Sequence, residues 1–271
     1  MNWQFRNTGR RTGAFNMMYD ERLAQLLVAS EHPFMVRVYG WAPPAISLGW
    51  HQRVDEIDLK NCEDSGIDVV RRPTGGRAIL HSDELTYSVV MVASQKSVLG
   101  VYQNISEALV CGLRALGAEA ALEKSQPHFP SLYRSSSAVA CFASVARYEI
   151  HVSGRKLVGS AQRRYARPKG EEVVLQHGSV LLGPDHLRMV EFLKGLDEQQ
   201  RQQLKEELRE HTVDLSSALG RRVTFDEVAA ILKWGFEKTW GIEFSQQDGE
   251  AERLENEIER MSGAAGSREL D

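Results

Sequence analysis

Arg71-Arg-Pro-Thr-Gly-Gly-Arg-Ala-Ile-Leu-His81 is the stretch on which the fold of this chain turns. It leaves a strand-like run, Ile67-Asp-Val-Val-Arg71, and leads on to Leu85–Val92, which is rich in β-branched residues and carries Tyr87. Between the two runs stand one proline and two glycines. Glycine has no Cβ, so Gly75 and Gly76 let the backbone approach a ligand closely. Arg71, Arg72 and Arg77 flank them and suit a carboxylate or phosphate gripped bidentately. A tight surface turn with solvated arginines is the competing reading. A P-loop is excluded, because no Gly-Lys-Ser/Thr follows.

Working outward, strands and helices interleave. Trp3–Asn7 alternates like a short strand. Asn16 is the expected N-cap of a helix running to Val28, before the Pro33 break. Phe34–Tyr39 and Ala45–Leu48 read as strands, and Val54–Ser65 as a short helix closed by Gly66. Val101–Leu116 carries Ile105, Leu109, Leu113 and Leu116 at helical spacing. After a polar stretch come three strand-like runs, Arg147–Val152, Lys156–Gln162 and Val173–Leu182. Ser153-Gly154-Arg155 joins the first two as a hairpin. Helices are expected at Asp185–Gly195, Glu198–His211 and Thr224–Trp240, the last capped by Thr224. Ala251–Met261 reads as an exposed charged helix, and Ser262–Asp271 as a disordered tail. The fold class is α+β, a mixed β-sheet flanked by helices. One catalytic domain is expected over residues 1–245, with a charged helix and tail over 246–271.

Composition narrows the function classes. With 42% hydrophobic and 26% charged residues, the 271-residue chain is neither disordered nor fibrous. Three cysteines cannot pair completely, so free thiols and a cytoplasmic setting are expected. No apolar run reaches the roughly 18 residues of a membrane span, and the polar start lacks a secretion-signal core. From Leu196 onward 18 acidic residues face 10 basic ones, a net of −8 that leaves +4 on the rest. That is too weak for a nucleic-acid protein, but it allows an acidic partner to dock on the front portion.

Three further segments carry chemistry. Cys141 lies among small residues, Ser135-Ser-Ser-Ala-Val-Ala-Cys-Phe-Ala-Ser144, with no apolar periodicity demanding burial. A reactive thiol needs a nearby cation or helix terminus, so Cys141 is either a nucleophile or a structural thiol. Cys111, inside an amphipathic helix, is the expected core thiol; Cys62 has no obvious partner. In Gly154-Arg-Lys-Leu-Val-Gly-Ser-Ala-Gln162, small residues Gly159, Ser160 and Ala161 follow Lys156 in a strand. Small residues there mark the close approach of a ligand or another backbone, although an edge-strand lysine is the plainer alternative. Leu175-Gln-His-Gly-Ser179 sets His177 and Gly178 inside a strand, where a core histidine is the plainer alternative to a catalyst. No His or Cys pair has metal spacing, so no metal is expected.

Together and in this order, these segments resemble the lipoate/biotin protein ligase superfamily, and within it the LipM-type octanoyltransferases. The resemblance rests on Arg71–His81, Asp83–Ser88, Ala140–Phe142, Gly154–Gln162 and Leu175–Gly178, with a weaker Asn-Met-x-x-Asp pattern at Asn16–Asp20. It implies a biotin/lipoyl ligase-like core. It makes Cys141 the nucleophile that carries octanoyl as a thioester, with Lys156 lowering its pKa. It implies a substrate pocket built from Arg71, Arg72, Thr74, Gly75, Gly76, Arg77, His81, Gly159, Ser160, Ala161, Gln162, His177 and Gly178. The donor implied is octanoyl-acyl carrier protein, and the acceptor a lipoyl domain of glycine-cleavage H protein or an E2 subunit. Neither ATP nor another cofactor is implied. Backbone N–H groups near Gly75-Gly76 are the candidates for holding the thioester oxyanion. ATP-dependent lipoate–protein ligases on this fold typically read Arg-Arg-x-Ser-Gly-Gly-Gly-Ala-Val-Tyr-His-Asp, whereas this chain has Arg77, Leu80 and Ser82 at the differing positions. Lipoyl amidotransferases typically read Gly-Ile-Ser-Gln where this chain has Gly159-Ser-Ala-Gln162.

Overall fold

The computed structural model describes residues 2–30, 32–93, 97–122, 149–245 and 249–264. Strands β1 (Trp3–Arg11), β2 (Phe34–Trp41), β6 (Glu84–Val92), β7 (Ala120–Leu122), β8 (Ile150–Val152), β9 (Arg155–Ala166) and β10 (Glu172–Leu181) form one sheet. Its order is β1-β2-β6-β10-β9-β8-β7, antiparallel except for the parallel β1–β2 pair. A smaller sheet, β4-β3-β5, joins β3 (Ala45–Leu48), β4 (Asp68–Arg71) and β5 (Ile79–His81). The mixed sheet flanked by helices agrees with the expected fold class.

Both faces of the large sheet are covered, which explains why its central strands are buried from end to end. Successive side chains alternate between the faces. Val36, Val38, Tyr87, Val89, Met91, Val174 and Val180 pack with helices α3 (Val98–Ala115) and α6 (Phe225–Trp240). The residues between them, Met35, Val90, Val92, Val173 and Leu175, pack beneath α1 (Gly13–Ala29) and α7 (Gly249–Ala264). The remaining helices are α2 (Leu59–Asp64), α4 (Glu198–His211) and α5 (Leu215–Leu219).

Several local expectations change. Thr12, not Asn16, caps α1: its backbone is extended and its hydroxyl accepts from the Phe15 N–H. Asn16 sits a full turn further in and is buried against the sheet. The stretch 54–65 splits into a 3-10 turn, Val54–Glu56, and α2, because the Asp58 carboxylate caps a new start at Asn61. The stretch after Pro184 is 3-10 rather than α-helical, over Pro184–Phe192. α7 is not fully exposed. Leu254 and Ile258, four apart on one face, enter the core under α1, and Glu255 bonds Arg6 at 3.0 Å. The cysteines also exchange places. Cys62 is the buried thiol, pushed up to about 11 by burial and by Asp58, while Cys111 is half-buried at the edge of the apolar stripe of α3. Cys141, Arg147 and the tail 265–271 lie outside the described residues. Among the described residues no helix is long and apolar enough to cross a membrane.

Candidate active site

The site grows from a change in the α1-facing side of the sheet. At one end of β2, β6 and β10 that side is apolar. At the other end the same alternation brings Arg37, Tyr39, Trp41, Glu84, Thr86, Ser88, His177 and Ser179 to it. Arg37 and Asp20 are fully buried and paired at 2.8 Å. Asn16 and Thr8 take further guanidinium N–H groups of Arg37, and its plane lies over the Tyr39 ring at 3.9 Å. Tyr39 and Ser88 each donate a hydroxyl to Asp20. Burial alone would raise the Asp20 carboxyl. Arg37 and the His177 hydrogen bond outweigh it and hold the group below its usual value of 3.8.

This network fixes the Gly-Gly turn. His177 Nδ1 stands 3.4 Å from Asp20 Oδ2, and its Nε2 stands 2.6 Å from Thr74 Oγ1. An ionised Asp20 can only accept, so Nδ1 carries the hydrogen and Nε2 accepts from Thr74. Burial lowers the His177 pKa below 6.5, and Asp20 only partly opposes it, so the ring is neutral. Arg72, also buried, donates to the carbonyls of Ser47, Gly75 and Arg77. A Cβ on Gly49 would stand 1.9 Å from the Gly76 carbonyl oxygen, so only glycine lets this turn close. His81 is held at both nitrogens, Nε2 by Ser47 at 2.7 Å and Nδ1 by Glu84 at 2.8 Å. Its ring stacks on Trp41 with centroids 4.0 Å apart.

The opposite wall comes from β9. The β8–β9 hairpin turns on Ser153 and Gly154, both with positive φ as its tight loop requires. His151 pairs with Lys156 but Ile150 with Val158, so Leu157 is an extra residue in β9. Such a bulge re-aims neighbouring side chains. Lys156 is 4% exposed, and its ammonium lies 2.7 Å from Glu149 Oε1. Further along β9, Ser160 bonds the Tyr87 hydroxyl at 2.7 Å and accepts at its carbonyl from Tyr102 at 2.6 Å. Gln162 donates to Gln176. Gly178 faces this wall; a Cβ there would lie 2.4 Å from the Gly159 carbonyl oxygen.

These parts enclose a largely apolar cavity of about 370 Å³. It runs crosswise over β2, β6, β10 and β9. Three strand spacings make that about 14 Å. Met17, Tyr39 and Trp41 stand at one end, Lys156 and Glu149 at the other. Of the residues singled out in the sequence, Arg72, Gly75, Gly76, His81, Lys156, Gly159, Ser160, Ala161, Gln162, His177 and Gly178 line it. Thr74 stands behind the turn on His177. Arg71 donates to the carbonyls of Gly49, Trp50 and Gln52, tying down the neighbouring loop. Arg77 is exposed. Trp41 belongs to the cavity wall, whereas Trp50 is exposed and Met35 lies in the core under α1. Arg37, Tyr102 and Glu149 were not singled out in the sequence, and Asp20 and Glu84 entered only as members of the runs Asn16–Asp20 and Asp83–Ser88, with no role of their own. Arg37 did leave a signal there, as a charge inside an apolar strand. Among the described residues, no three His, Cys, Asp or Glu side chains gather as a metal site.

The sequence and the fold that build this cavity are similar to those of known proteins. Residues 12–237 match the family model described as lipoyl protein ligase A/B catalytic domain. An archaeal bipartite lipoate protein ligase from Thermoplasma acidophilum superposes with a TM-score of 0.75 at 22% identity, over 95% of this chain and 92% of that one. Lipoate-protein ligase A bound with ATP gives 0.72 at 22% identity, over 95% and 94%. At that identity the likeness shows the fold. Sequence goes further. Octanoyltransferase LipM of Kyrpidia tusciae is 38% identical over 96% of this chain and 95% of that one, and octanoyltransferase LipM of Bacillus subtilis 35% over 93% and 91%. The chain therefore belongs to the lipoyl protein ligase A/B catalytic-domain family, and within it to the LipM-type octanoyltransferases, acyltransferases of lipoate biosynthesis.

Proposed function

We propose that this chain takes octanoyl from octanoyl-acyl carrier protein onto Cys141 and passes it to a lysine of a lipoyl domain, such as glycine-cleavage H protein or an E2 subunit. The observation that supports this reading best is Lys156, a buried cation on the wall of an apolar cavity. An ammonium within about 4–6 Å favours a thiolate over a thiol. The Cys141 thiolate attacks the thioester carbonyl carbon, a C–S bond to the carrier breaks, and octanoyl rests on Cys141. The acceptor amine then attacks that carbonyl, an amide forms, and the Cys141 thiolate departs. The donor thioester is already activated, so ATP has no part. Backbone N–H groups near Gly75-Gly76, which line the cavity, are the proposed holders of the developing oxyanion. The setting is the cytoplasm.

The test is incubation of the protein with octanoyl-acyl carrier protein without ATP. Cys141 should gain an octanoyl mass that hydroxylamine removes. Transfer to a lipoyl domain by Cys141→Ser under these conditions overturns the covalent route. A requirement for ATP and free octanoate makes the chain a ligase instead.

A further inference from the structure

Arg163 is a cation that the site described above does not use. It lies on the α1-facing side of β9, two residues beyond the cavity-lining Ala161 and opposite Leu175. Its guanidinium carbon stands 4.5 Å from the Trp50 ring centroid and 4.9 Å from that of Tyr165, and Nη1 donates to the Pro73 carbonyl at 3.1 Å. These contacts hold the group at the corner where the Gly-Gly turn meets β9. Nearby arginines are neutralised: Arg164 pairs with Glu172, Arg167 with Glu171 and Arg53 with Asp55. Arg163 has no carboxylate partner among the described residues. Its Nε and Nη2 make no bond there either, and they are not buried. Arg71, bonded to the Trp50 carbonyl, likewise donates to carbonyls alone.

Resting on the donor proposed above, we infer that the open Nε–Nη2 edge of Arg163 binds the phosphodiester through which that donor's acyl-bearing arm is attached. Two reactants must reach the cavity, the donor's thioester and the acceptor's lysine. Arg163 and Arg71 repel an ammonium, so this corner suits the donor. An acyl carrier protein holds its thioester on a pantetheine arm, and a phosphodiester joins that arm to the protein.

The phosphodiester is an anion with two free oxygens on one centre, the shape that the guanidinium fork grips with two parallel hydrogen bonds. The Trp50 and Tyr165 rings and the Pro73 carbonyl fix the fork before any ligand arrives, so less freedom is lost on binding. Trp50 is 45% exposed and gives the arm an apolar surface beside the charge. A carboxylate on the carrier's own surface has the same two-oxygen shape, and the experiment separates the two sources.

Donor kinetics on the full chain test this. Wild type, R163A and R163K are given a lipoyl domain and one of three donors: octanoyl-acyl carrier protein, S-octanoyl-phosphopantetheine, whose phosphate stands in for the phosphodiester, or S-octanoyl-pantetheine, which lacks it. The readout is the preference, in kcat/KM, for the phosphate-bearing small donor over the phosphate-free one. R163A is expected to lower that preference by roughly tenfold or more, the worth of a hydrogen bond to a charged group, and to lower kcat/KM for the carrier protein with it. R163K keeps the charge without the fork and recovers part of the loss. An unchanged preference overturns the subsite. With the carrier protein alone slowed, Arg163 reads the carrier's carboxylates; with both small donors slowed equally, its role is structural. A lowered preference with the carrier protein unaffected overturns it too. If R163A does not fold, the preference shown by R163K decides, since loss of the fork alone must lower it. Wild type that turns over none of the three donors without ATP removes the donor reading and the subsite together; a working wild type beside an unaltered R163A removes the subsite alone.

Discussion

The α1-facing side of the sheet has two halves built from the same three strands and the same alternation. One half, Met35, Val90, Val92, Val173 and Leu175, is apolar and covered by α1 and α7. The other, Arg37, Ser88, Thr86, Glu84, His177 and Ser179, is polar, yet nearly as dry. The first gains from the removal of apolar surface from water. The second holds because its buried polar side chains bond one another, with Glu84 Oε2 the exception, and that obligation leaves the side chains little freedom. Strand geometry decides which residues share the face. Their chemistry decides whether the face becomes core or site.

The sharpest way to break the comparison is to strand a charge in the polar half. Asp20→Ala leaves Arg37 buried without its carboxylate and is expected to cost about 3–5 kcal/mol in urea unfolding. Asp20→Asn with Arg37→Met should recover much of that loss; a double variant no better than the single would show that packing, not charge, holds this half together. In the apolar half, Leu175→Ala should cost about 2–5 kcal/mol through a cavity. The protein that remains folded should keep its kcat/KM, because Leu175 faces α1 away from the cavity. A large fall in kcat/KM at full occupancy of the folded state would mean that the two halves are mechanically one. A smaller effect is expected for Thr74→Val, which leaves His177 Nε2 a buried acceptor with nothing to accept, at about 1–3 kcal/mol. Thermal unfolding that is unmoved by this change would dissolve the link between His177 and the Gly-Gly turn.

Acid should separate the halves last and least. His177 and His186 have folded pKa values below 6.5, so the unfolded chain binds their protons first as pH falls. Their stabilising effect is complete above about 6.5 and is lost as pH drops from there through the folded values. Asp20, held below 3.8, adds a second loss as pH falls through that value. Each unit between folded and unfolded pKa is worth about 1.4 kcal/mol. Urea midpoints across pH 7.5 to 5 check the histidine step. A flat profile for wild type, or an unaltered slope in His177→Gln, would contradict it.

Much of the site was legible because its pieces are contiguous. Arg72–Gly76, Gly159–Gln162 and His177-Gly178 each form a short run whose small residues and turn chemistry mark close backbone approach, and each lies on the cavity. The charged C-terminal segment was legible as a helix but not as a buried one, since two apolar residues four apart are a weak signal beside its many charges. What stayed hidden was contributed singly. Arg37, Tyr102 and Glu149 come from different elements, and a lone charge or tyrosine in a sequence does not announce its partner; Asp20 and Glu84 stood in the runs Asn16–Asp20 and Asp83–Ser88, but their partners did not. The cysteines show the same limit: helical periodicity favoured Cys111 for burial, but the neighbour packed against each helix chose Cys62.

The sequence by itself determined the kind of fold, the turn at Pro73-Thr-Gly-Gly76, the Lys156 hairpin and membership of the acyltransferase family, because these depend on local backbone rules and on ordered runs of residues. Only the tertiary structure decided that Lys156 is paired with Glu149, that Asp20 reaches Thr74 through His177, and that Arg71 braces a loop while Arg72 lines the cavity. These are relations between residues up to about 160 positions apart, and they exist only once strand pairing has brought opposite charges into a space too dry to leave either one alone.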